Sequence, residues 1–432
     1  MALFADRIRL IDTENAFKIG PRIREVEAAG HRVIRCNIGE PDFSLPTHIR
    51  DEVKRQLDAD NTHYSDPQGI PALREAIAGQ LTATRNINIS PDRVVVFPGA
   101  KPAIGFCQHA YTEIGDEVIY PSPGFPIYES FTRYVGATPV PLHLREENGF
   151  TLGRNELEEL ISERTKLIYL NFPSNPTGGV ATPEQLAEIA EVILEKAPPD
   201  VRVYSDEVYE HILFDGAEHR SIASVPGMEA ITIIVSGASK SYSWTGGRVG
   251  WAAFPSAAEA HEFRNLNINY FSCLPAYNQE GARHAINSPE SLVCIREMAE
   301  AFQERRDFVV QALNEIDGIT CQTPRGAFYV FPNVAGACER VGAIEAFNSL
   351  PPGTRERTSP STLFQLFLLY TYHVATMDRR SFGRLGAEGK HYLRISIATA
   401  LDDLREGMEH IAEATLDREG FGRFMREGRY RY

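Results

Sequence analysis

Short apolar runs alternate with longer amphipathic stretches through the middle of the chain. Five runs rich in β-branched and aromatic residues have the length of strands, namely 94–97, 117–120, 167–170, 202–204 and 232–235. Segment 183–190 repeats its apolar positions at helical spacing. This alternation predicts an α/β fold with a mostly parallel sheet between helices, and such sheets bind ligands beyond the carboxyl ends of their strands.

The pattern changes near residue 290. It predicts a long helix over 290–316, a strand within 326–331, a helix over 363–370, a strand over 392–397 and a closing helix from Leu401. Segment 335–362 is rich in Pro, Gly and charge, so we expect irregular structure there, and we favour a surface loop over a segment that reshapes a pocket entrance. We predict a large domain over 46–290 and a smaller α+β domain over 291–432, which the N-terminal arm, 1–45, joins.

Composition and charge exclude several classes of protein. Of 432 residues, 43% are hydrophobic and 24% are charged, which is ordinary for a globular protein. The net charge of −14 opposes binding to nucleic acid or to an anionic membrane surface. No signal peptide and no apolar run of roughly 20 residues is evident. The six cysteines are scattered, so we expect a cytoplasmic protein with reduced thiols and no metal site.

Lys240 is the first candidate for chemistry. Small residues surround it in segment 236–241, and Arg248 follows eight positions later. Small neighbours let an amine approach a planar partner, and the arginine could hold an anion, as an aldehyde cofactor with a phosphate requires. On spacing alone, a solvated surface lysine is the more common alternative.

Two loops follow predicted strands. Segment 98–103 contains Gly99, Ala100 and Lys101 and opens a helix, which suits an anion site or an ordinary turn. Segment 171–178 holds two prolines and two asparagines, so it could fix Asn175 as a hydrogen-bond donor or simply form a turn.

Charged residues also lie in apolar strands. Asp206 ends one strand, where a buried carboxylate needs a partner such as a protonated ring nitrogen, and Tyr209 follows it. A helix N-cap is the simpler reading of Asp206. Arg394 lies between Leu and Ile, where its fork could bind a carboxylate or form a structural salt bridge.

These signals occur together and in order. With Asn-Ile-Gly-Glu-Pro-Asp-Phe at 37–43 and His-Tyr-Ser-Asp-Pro-Gln-Gly-Ile-Pro-Ala-Leu-Arg at 63–74, residues 33–414 resemble the fold-type I aminotransferases of the aspartate aminotransferase (class I/II) family. The resemblance implies a homodimer that uses pyridoxal 5′-phosphate to move an amino group from an L-amino acid, whether aspartate-like, alanine or aromatic, to a 2-oxo acid such as 2-oxoglutarate. A carbon–sulfur β-lyase on the same scaffold is the alternative, since it needs the same residues.

The resemblance also implies roles. Lys240 matches the Schiff-base lysine that moves the proton, and Asp206 matches the partner of the pyridine nitrogen. Tyr209 and Asn175 match the residues that contact the phenolic oxygen. The remaining cofactor contacts are Phe125, which stacks on the ring, and the phosphate-site residues Ala100, Lys101, Ser239, Arg248 and, from the neighbouring subunit, Tyr64. Gly39, Asn175 and Arg394 match the residues that bind the substrate α-carboxylate.

The chain departs from the family in several places. Gly237 stands where many relatives have a hydroxyl residue, so Ser236 or Ser239 could serve the phosphate instead. Phe125 replaces the more usual Trp or Tyr. Glu14-Asn15-Ala16 stands where relatives often have small hydroxyl residues, which would suit a substrate other than a dicarboxylic acid.

Two other classes of relative are less favoured. Transcription regulators that fuse this fold to a DNA-binding domain would need more chain before residue 33. A relative without catalytic activity would not be expected to keep Lys240, Asp206 and Arg394 together.

Overall fold

The computed structural model describes residues 3–12 and 15–430. Its strands are β1 (Ile34–Arg35), β2 (Val94–Pro98), β3 (Glu117–Ser122), β4 (Thr138–His143), β5 (Thr165–Asn171), β6 (Arg202–Asp206), β7 (Thr232–Gly237), β8 (Val249–Ala253), β9 (Tyr329–Val330), β10 (Val374–Ala375), β11 (Met377–Asp378) and β12 (Leu393–Ser396). Its helices are α1 (Asn15–Lys18), α2 (Gly20–Ala28), α3 (Thr47–Asp58), α4 (Pro71–Arg85), α5 (Lys101–Tyr111), α6 (Ile127–Val135), α7 (Arg154–Leu160), α8 (Pro183–Lys196), α9 (Ala238–Ser241), α10 (Ala257–Phe271), α11 (Ala276–Asn287), α12 (Pro289–Asn314), α13 (Ala335–Val341), α14 (Ala343–Ser349), α15 (Pro352–Arg355), α16 (Pro360–Tyr372), α17 (Leu401–Leu416) and α18 (Arg418–Glu427).

A seven-stranded sheet in the order β2-β8-β7-β6-β5-β3-β4 forms the centre of the chain. Only β8 runs antiparallel to its neighbours in this sheet, so the predicted mostly parallel sheet is confirmed. The five predicted strands are all present. Sequence reasoning missed β4, whose Pro139 and Pro141 are tolerated because it is an edge strand, and it missed the glycine- and alanine-containing β8.

Helices cover both faces of this sheet because strand side chains alternate between the faces. Along β2, Val94 and Val96 pack with side chains of α4 and α11. Val95 and Phe97 instead pack with side chains of α5 and α10 on the other face. Helix α8 starts with a capping box between Thr182 and Gln185, which satisfies backbone N–H groups at the N-terminus of the helix.

A smaller antiparallel sheet in the order β11-β12-β9 carries the C-terminal part of the chain. The N-terminal β1 pairs in parallel with β10, so the N-terminal segment joins the C-terminal part of the chain. Helices predicted over 290–316, over 363–370 and from Leu401 appear as α12, α16 and α17, and the predicted 392–397 strand as β12.

The expectation of an irregular surface loop over 335–362 is wrong. This segment forms α13, α14, α15 and the start of α16. Gly342, with φ +87°, separates α13 from α14, and Pro352 and Pro360 begin helices, so these three residues mark helix ends instead of a loop. Apolar side chains such as Cys338 are fully buried in the C-terminal core.

Candidate active site

The carboxyl ends of the central strands open into a cavity of about 450 Å³. All of the predicted site residues except Tyr64 line it. The turn after β2, the ends of β5 and β6, and the short α9 after β7 supply its floor. Gly39 and Arg394 come from the two terminal parts of the chain, so folding brings distant segments to one place.

Lys240 lies half-buried in this cavity, not on the surface. Its Nζ donates a 2.5 Å hydrogen bond to the carbonyl oxygen of Gly39. The same nitrogen is 5.9 Å from the ring centroid of Tyr209 and 5.7 Å from that of Phe328. The solvated-lysine alternative is therefore wrong.

Asp206 is the last residue of β6 and is 6% exposed. Its Oδ2 accepts a 2.6 Å hydrogen bond from the hydroxyl of Tyr128. Burial raises the pKa of Asp206 to about 6, although the Tyr128 hydrogen bond opposes the rise. Such a carboxylate gains most from a cationic partner, and a protonated pyridine nitrogen would be one.

The turn between β2 and α5 forms a cradle with Arg248. Gly99 has φ +85°, and a Cβ there would lie 2.0 Å from Nη2 of Arg248. The guanidinium donates to the carbonyl oxygens of Pro98, at 3.1 Å, and Thr245, at 2.7 Å. A guanidinium beside the N-terminus of α5 suits a phosphate. Together with Lys240 and Asp206, the cradle fits a flat aldehyde cofactor that carries a phosphate.

The hydroxyl residues near Lys240 point to different places. Ser239 lines the cavity. Ser236 is 1% exposed, does not line the cavity and donates a 2.6 Å hydrogen bond to Oε1 of Glu210. Of the two serines considered from the sequence, only Ser239 is placed to face a phosphate.

Phe125 and Lys101 form part of the cavity wall. The Lys101 ammonium lies 5.5 Å from the ring centroid of Phe125 and 5.9 Å from that of Phe17. The backbone of Ala100 and Lys101 opens α5, so the main chain reaches the cradle while the Lys101 side chain extends towards these rings.

Arg394 is 4% exposed, and within residues 3–12 and 15–430 its guanidinium donates to an amide oxygen of Asn175 and to the carbonyl oxygen of Asn37, not to a carboxylate. Its guanidinium carbon lies 4.4 Å and 4.8 Å from the rings of Tyr329 and Phe382. Nη1 donates to Oδ1 of Asn175 at 3.0 Å, which leaves the amide nitrogen of Asn175 as a donor. The structural salt bridge is therefore wrong, and a buried cation without a counterion suits a carboxylate ligand.

Tyr64 is 89% exposed and lies outside the cavity of its own chain. Of the N-terminal lining predicted from Glu14-Asn15-Ala16, Glu14 lies outside the described residues, and the Asn15 amide donates to Ser381 at 3.1 Å. Phe17 instead lines the cavity.

Sequence reasoning missed Tyr128 and Tyr329. Tyr128 lies in α6 and Tyr329 in β9, and no local pattern distinguishes them from core tyrosines. Within the described part of the chain, no group of three His, Cys, Asp or Glu side chains is placed to bind a metal ion. None of the described helices is both long and apolar enough to cross a membrane.

Comparisons with known proteins agree with this geometry. The family model for aminotransferase class I and II matches residues 31–411. The chain is 34% identical over 411 residues to a probable aspartate/prephenate aminotransferase of Aquifex aeolicus, covering 95% of this chain and 98% of that protein. It is 35% identical over 410 residues to an aspartate aminotransferase of Pyrococcus abyssi, covering 94% and 97%.

Solved structures extend the likeness to three dimensions. The aspartate aminotransferase of Rhizobium meliloti matches with a TM-score of 0.85 at 31% identity, covering 96% of this chain and 99% of that one. No observation favours the carbon–sulfur β-lyase. The chain therefore belongs to the class I and II aminotransferase family, and it is a pyridoxal 5′-phosphate-dependent transaminase of the aspartate aminotransferase group.

Proposed function

We propose that Lys240 holds the cofactor aldehyde covalently through Nζ and that the enzyme transfers the amino group of aspartate to 2-oxoglutarate. Alanine and aromatic amino acids are the next donors to test. The convergence of Lys240, Asp206 and Arg394 on one cavity carries the site assignment. The names of the relatives, aspartate and aspartate/prephenate aminotransferase, support the choice of donor.

The residues that line the cavity support a set of cofactor contacts. Asp206 would keep the ring nitrogen protonated, and Tyr209 and Asn175 would donate to the phenolic oxygen. Ala100, Ser239, Arg248 and the start of α5 would hold the phosphate, with Phe125 against the ring. When bound, the cofactor supplies an electron sink for the pair released from the Cα–H bond of the substrate.

The protein residues orient the substrate and move its proton. Arg394 would bind the α-carboxylate and so fix the direction of the Cα–H bond. Lys240 would accept the Cα proton at Nζ, as a general base, and would then donate it to C4′ of the cofactor, as a general acid. The Gly39 carbonyl, which accepts a hydrogen bond from Nζ, would keep the amine near the substrate.

Borohydride reduction followed by peptide mapping tests the assignment. We expect the reduced cofactor on the peptide that contains Lys240, and none after Lys240→Ala. A label on another lysine would overturn the assignment. A donor screen with 2-oxoglutarate and pyruvate as acceptors, read from the cofactor spectrum, tests the substrate, and release of pyruvate and ammonia without a 2-oxo acid acceptor would argue for a lyase.

We also propose a homodimer in which Tyr64 reaches the phosphate of the neighbouring site. The 89% exposure of Tyr64 supports it. The exposed apolar side chains of the N-terminal segment, Leu3, Phe4, Ile8, Leu10 and Ile11, agree with burial against a second copy.

Hybrid dimers test the placement of Tyr64. Co-expression of Tyr64→Ala and Lys240→Ala chains should restore one intact site per hybrid if Tyr64 acts across the interface. If Tyr64 serves its own chain, the hybrids would contain no intact site and would stay as inactive as the parent variants.

The proposed division of the chain places the central sheet in a large domain, 46–290. Residues 291–432, with the N-terminal segment 1–45, would form the smaller domain. The pairing of β1 with β10 supports this grouping. A cytoplasmic location stays a prediction from composition.

A further inference from the structure

Tyr329 joins three of the proposed site residues. It lies in β9, opposite Ser396 of β12, so its side chain shares a sheet face with Arg394, two residues before Ser396. It is 1% exposed and lines the cavity. Its hydroxyl is 2.8 Å from that of Tyr209, and its ring lies 4.4 Å from the Arg394 guanidinium carbon.

The backbone of Gly39 lies directly against the side chain of Tyr329. A Cβ at Gly39 would lie 2.0 Å from the Tyr329 hydroxyl oxygen, so only glycine leaves room for it. The Gly39 carbonyl in turn accepts the hydrogen bond from Lys240. One side chain therefore packs against the backbone that holds the amine and against the arginine.

Either hydroxyl could donate the hydrogen bond between Tyr209 and Tyr329, and the proposed role of Tyr209 decides which one does. Each tyrosine has a single O–H donor. If Tyr209 uses its proton for the phenolic oxygen of the cofactor, the 2.8 Å bond needs the proton of Tyr329. The other groups around Tyr209 are Arg394, Asp206 and the Lys240 ammonium.

We infer that Tyr329 is a positioning residue that donates to the Tyr209 hydroxyl, which directs the Tyr209 proton into the cavity, while its ring supports the Arg394 guanidinium. This inference rests on the roles proposed above for Tyr209 and Arg394. Tyr329 thereby links the carboxylate site with the hydrogen bond to the cofactor.

Absorbance titration of the holoenzyme against pH tests the hydroxyl. A hydrogen bond to the phenolic oxygen of the cofactor stabilises the negative charge on that oxygen. A weaker donor therefore raises the apparent pKa of the bound cofactor chromophore. Tyr209→Phe should raise the apparent pKa of the chromophore, and Tyr329→Phe should raise it by about 0.5 unit, as loss of one neutral hydrogen bond predicts. The Tyr209→Phe/Tyr329→Phe double variant should titrate like Tyr209→Phe alone.

Steady-state kinetics separate the ring from the hydroxyl. Tyr329→Phe keeps the ring and should leave the KM of the amino donor within roughly twofold, whereas Tyr329→Leu should raise it about fivefold, as loss of one cation–π contact predicts. Tyr392→Phe is the matched control. Tyr392 lies two residues before Arg394, and its hydroxyl donates a hydrogen bond to Glu146 instead of to a residue of the site. This variant should titrate like the wild type.

The outcomes distinguish this inference from the proposed function. An unshifted Tyr209→Phe would refute the role of Tyr209 itself. A shifted Tyr209→Phe with an unshifted Tyr329→Phe, or additive shifts in the double variant, would refute only the role of Tyr329. Gly39→Ala, which displaces the Tyr329 hydroxyl without deleting it, should reproduce the Tyr329→Phe shift, so the test survives if Tyr329 variants fold poorly.

Discussion

The hydroxyl of Tyr128 donates a 2.6 Å hydrogen bond to Oδ2 of Asp206, and both side chains are buried. Tyr128 also stacks on Tyr169, with ring centroids 4.5 Å apart, so the donor is held in place from behind. The carboxylate therefore presents one oxygen to a fixed protein donor. Its other oxygen, Oδ1, accepts a longer hydrogen bond, 3.5 Å, from the backbone N–H of Val208.

Tyr128→Phe should make Asp206 harder to ionise. Burial already raises the pKa of Asp206 to about 6, and the Tyr128 hydrogen bond is the group that most opposes the rise. Without the Tyr128 hydrogen bond, the pKa of Asp206 rises further. As the pH falls, Asp206 is then protonated earlier, and the cofactor ring nitrogen loses its anionic partner at a higher pH than in the wild type. The acid limb of the pH profile of kcat/KM should move to higher pH, and an unmoved limb would contradict the prediction.

Asp206→Asn should stabilise the apoprotein at neutral and alkaline pH while it abolishes turnover. Because its pKa is raised, the folded apoprotein binds this proton more tightly than the unfolded chain does. Its free energy of unfolding therefore falls as the pH rises from about 4 to 6, by roughly 3 kcal/mol. Urea denaturation of apoprotein at about pH 8 should find the variant more stable. A less stable variant would argue that Asp206 is already paired.

Gly99→Ala should weaken cofactor binding. The new Cβ would meet the Arg248 guanidinium in a turn whose φ of +85° already disfavours alanine. We expect the dissociation constant of the cofactor, measured by reconstitution of the apoprotein, to rise about tenfold. Gly115→Ala is the control, since Gly115 also has positive φ, +99°, but open space around it. An equal loss in both variants would mean that backbone strain alone is responsible.

Arg85→Met should strongly destabilise the fold. Arg85 is 4% exposed and pairs with Glu207, at 2.7 Å, and with Glu210, the residues that follow Asp206 and Tyr209. Burial alone would raise the pKa of Glu210, yet the charge of Arg85 lowers it to about 2. Without Arg85, two buried carboxylates lose their cation, which should cost about 3–5 kcal/mol in chemical denaturation.

The pH dependence identifies the cause of that loss. The stability that these carboxylates contribute is present above their ordinary pKa of 4.5 and is lost as the pH falls towards 2. The difference between wild type and Arg85→Met should therefore shrink in acid. Arg154→Met, which removes an exposed pair with Glu191, should change stability little. A difference that persists in acid would indicate lost packing.

Local sequence predicted the parts of the site that come directly after strands. Asp206 is a candidate because it ends an apolar run, and Lys240 because small residues surround it and Arg248 follows; both lie at or just after the ends of parallel strands, which end at one edge of the sheet. The helices of segment 335–362 were mistaken for a loop because proline and glycine mark a helix end and a loop alike. Burial of residues such as Cys338 decided between them.

The sequence by itself determined five strands of the central sheet, the helices that became α12, α16 and α17, and the family resemblance, since each depends on residues close together in the chain. Only the tertiary structure decided which distant side chains meet. Tyr128 finds Asp206 across 78 positions, and Tyr209 finds Tyr329 across 120. Hydrogen bonds and ring contacts depend on distances of a few ångströms in space, and the local sequence does not predict which residues far apart in the chain come that close.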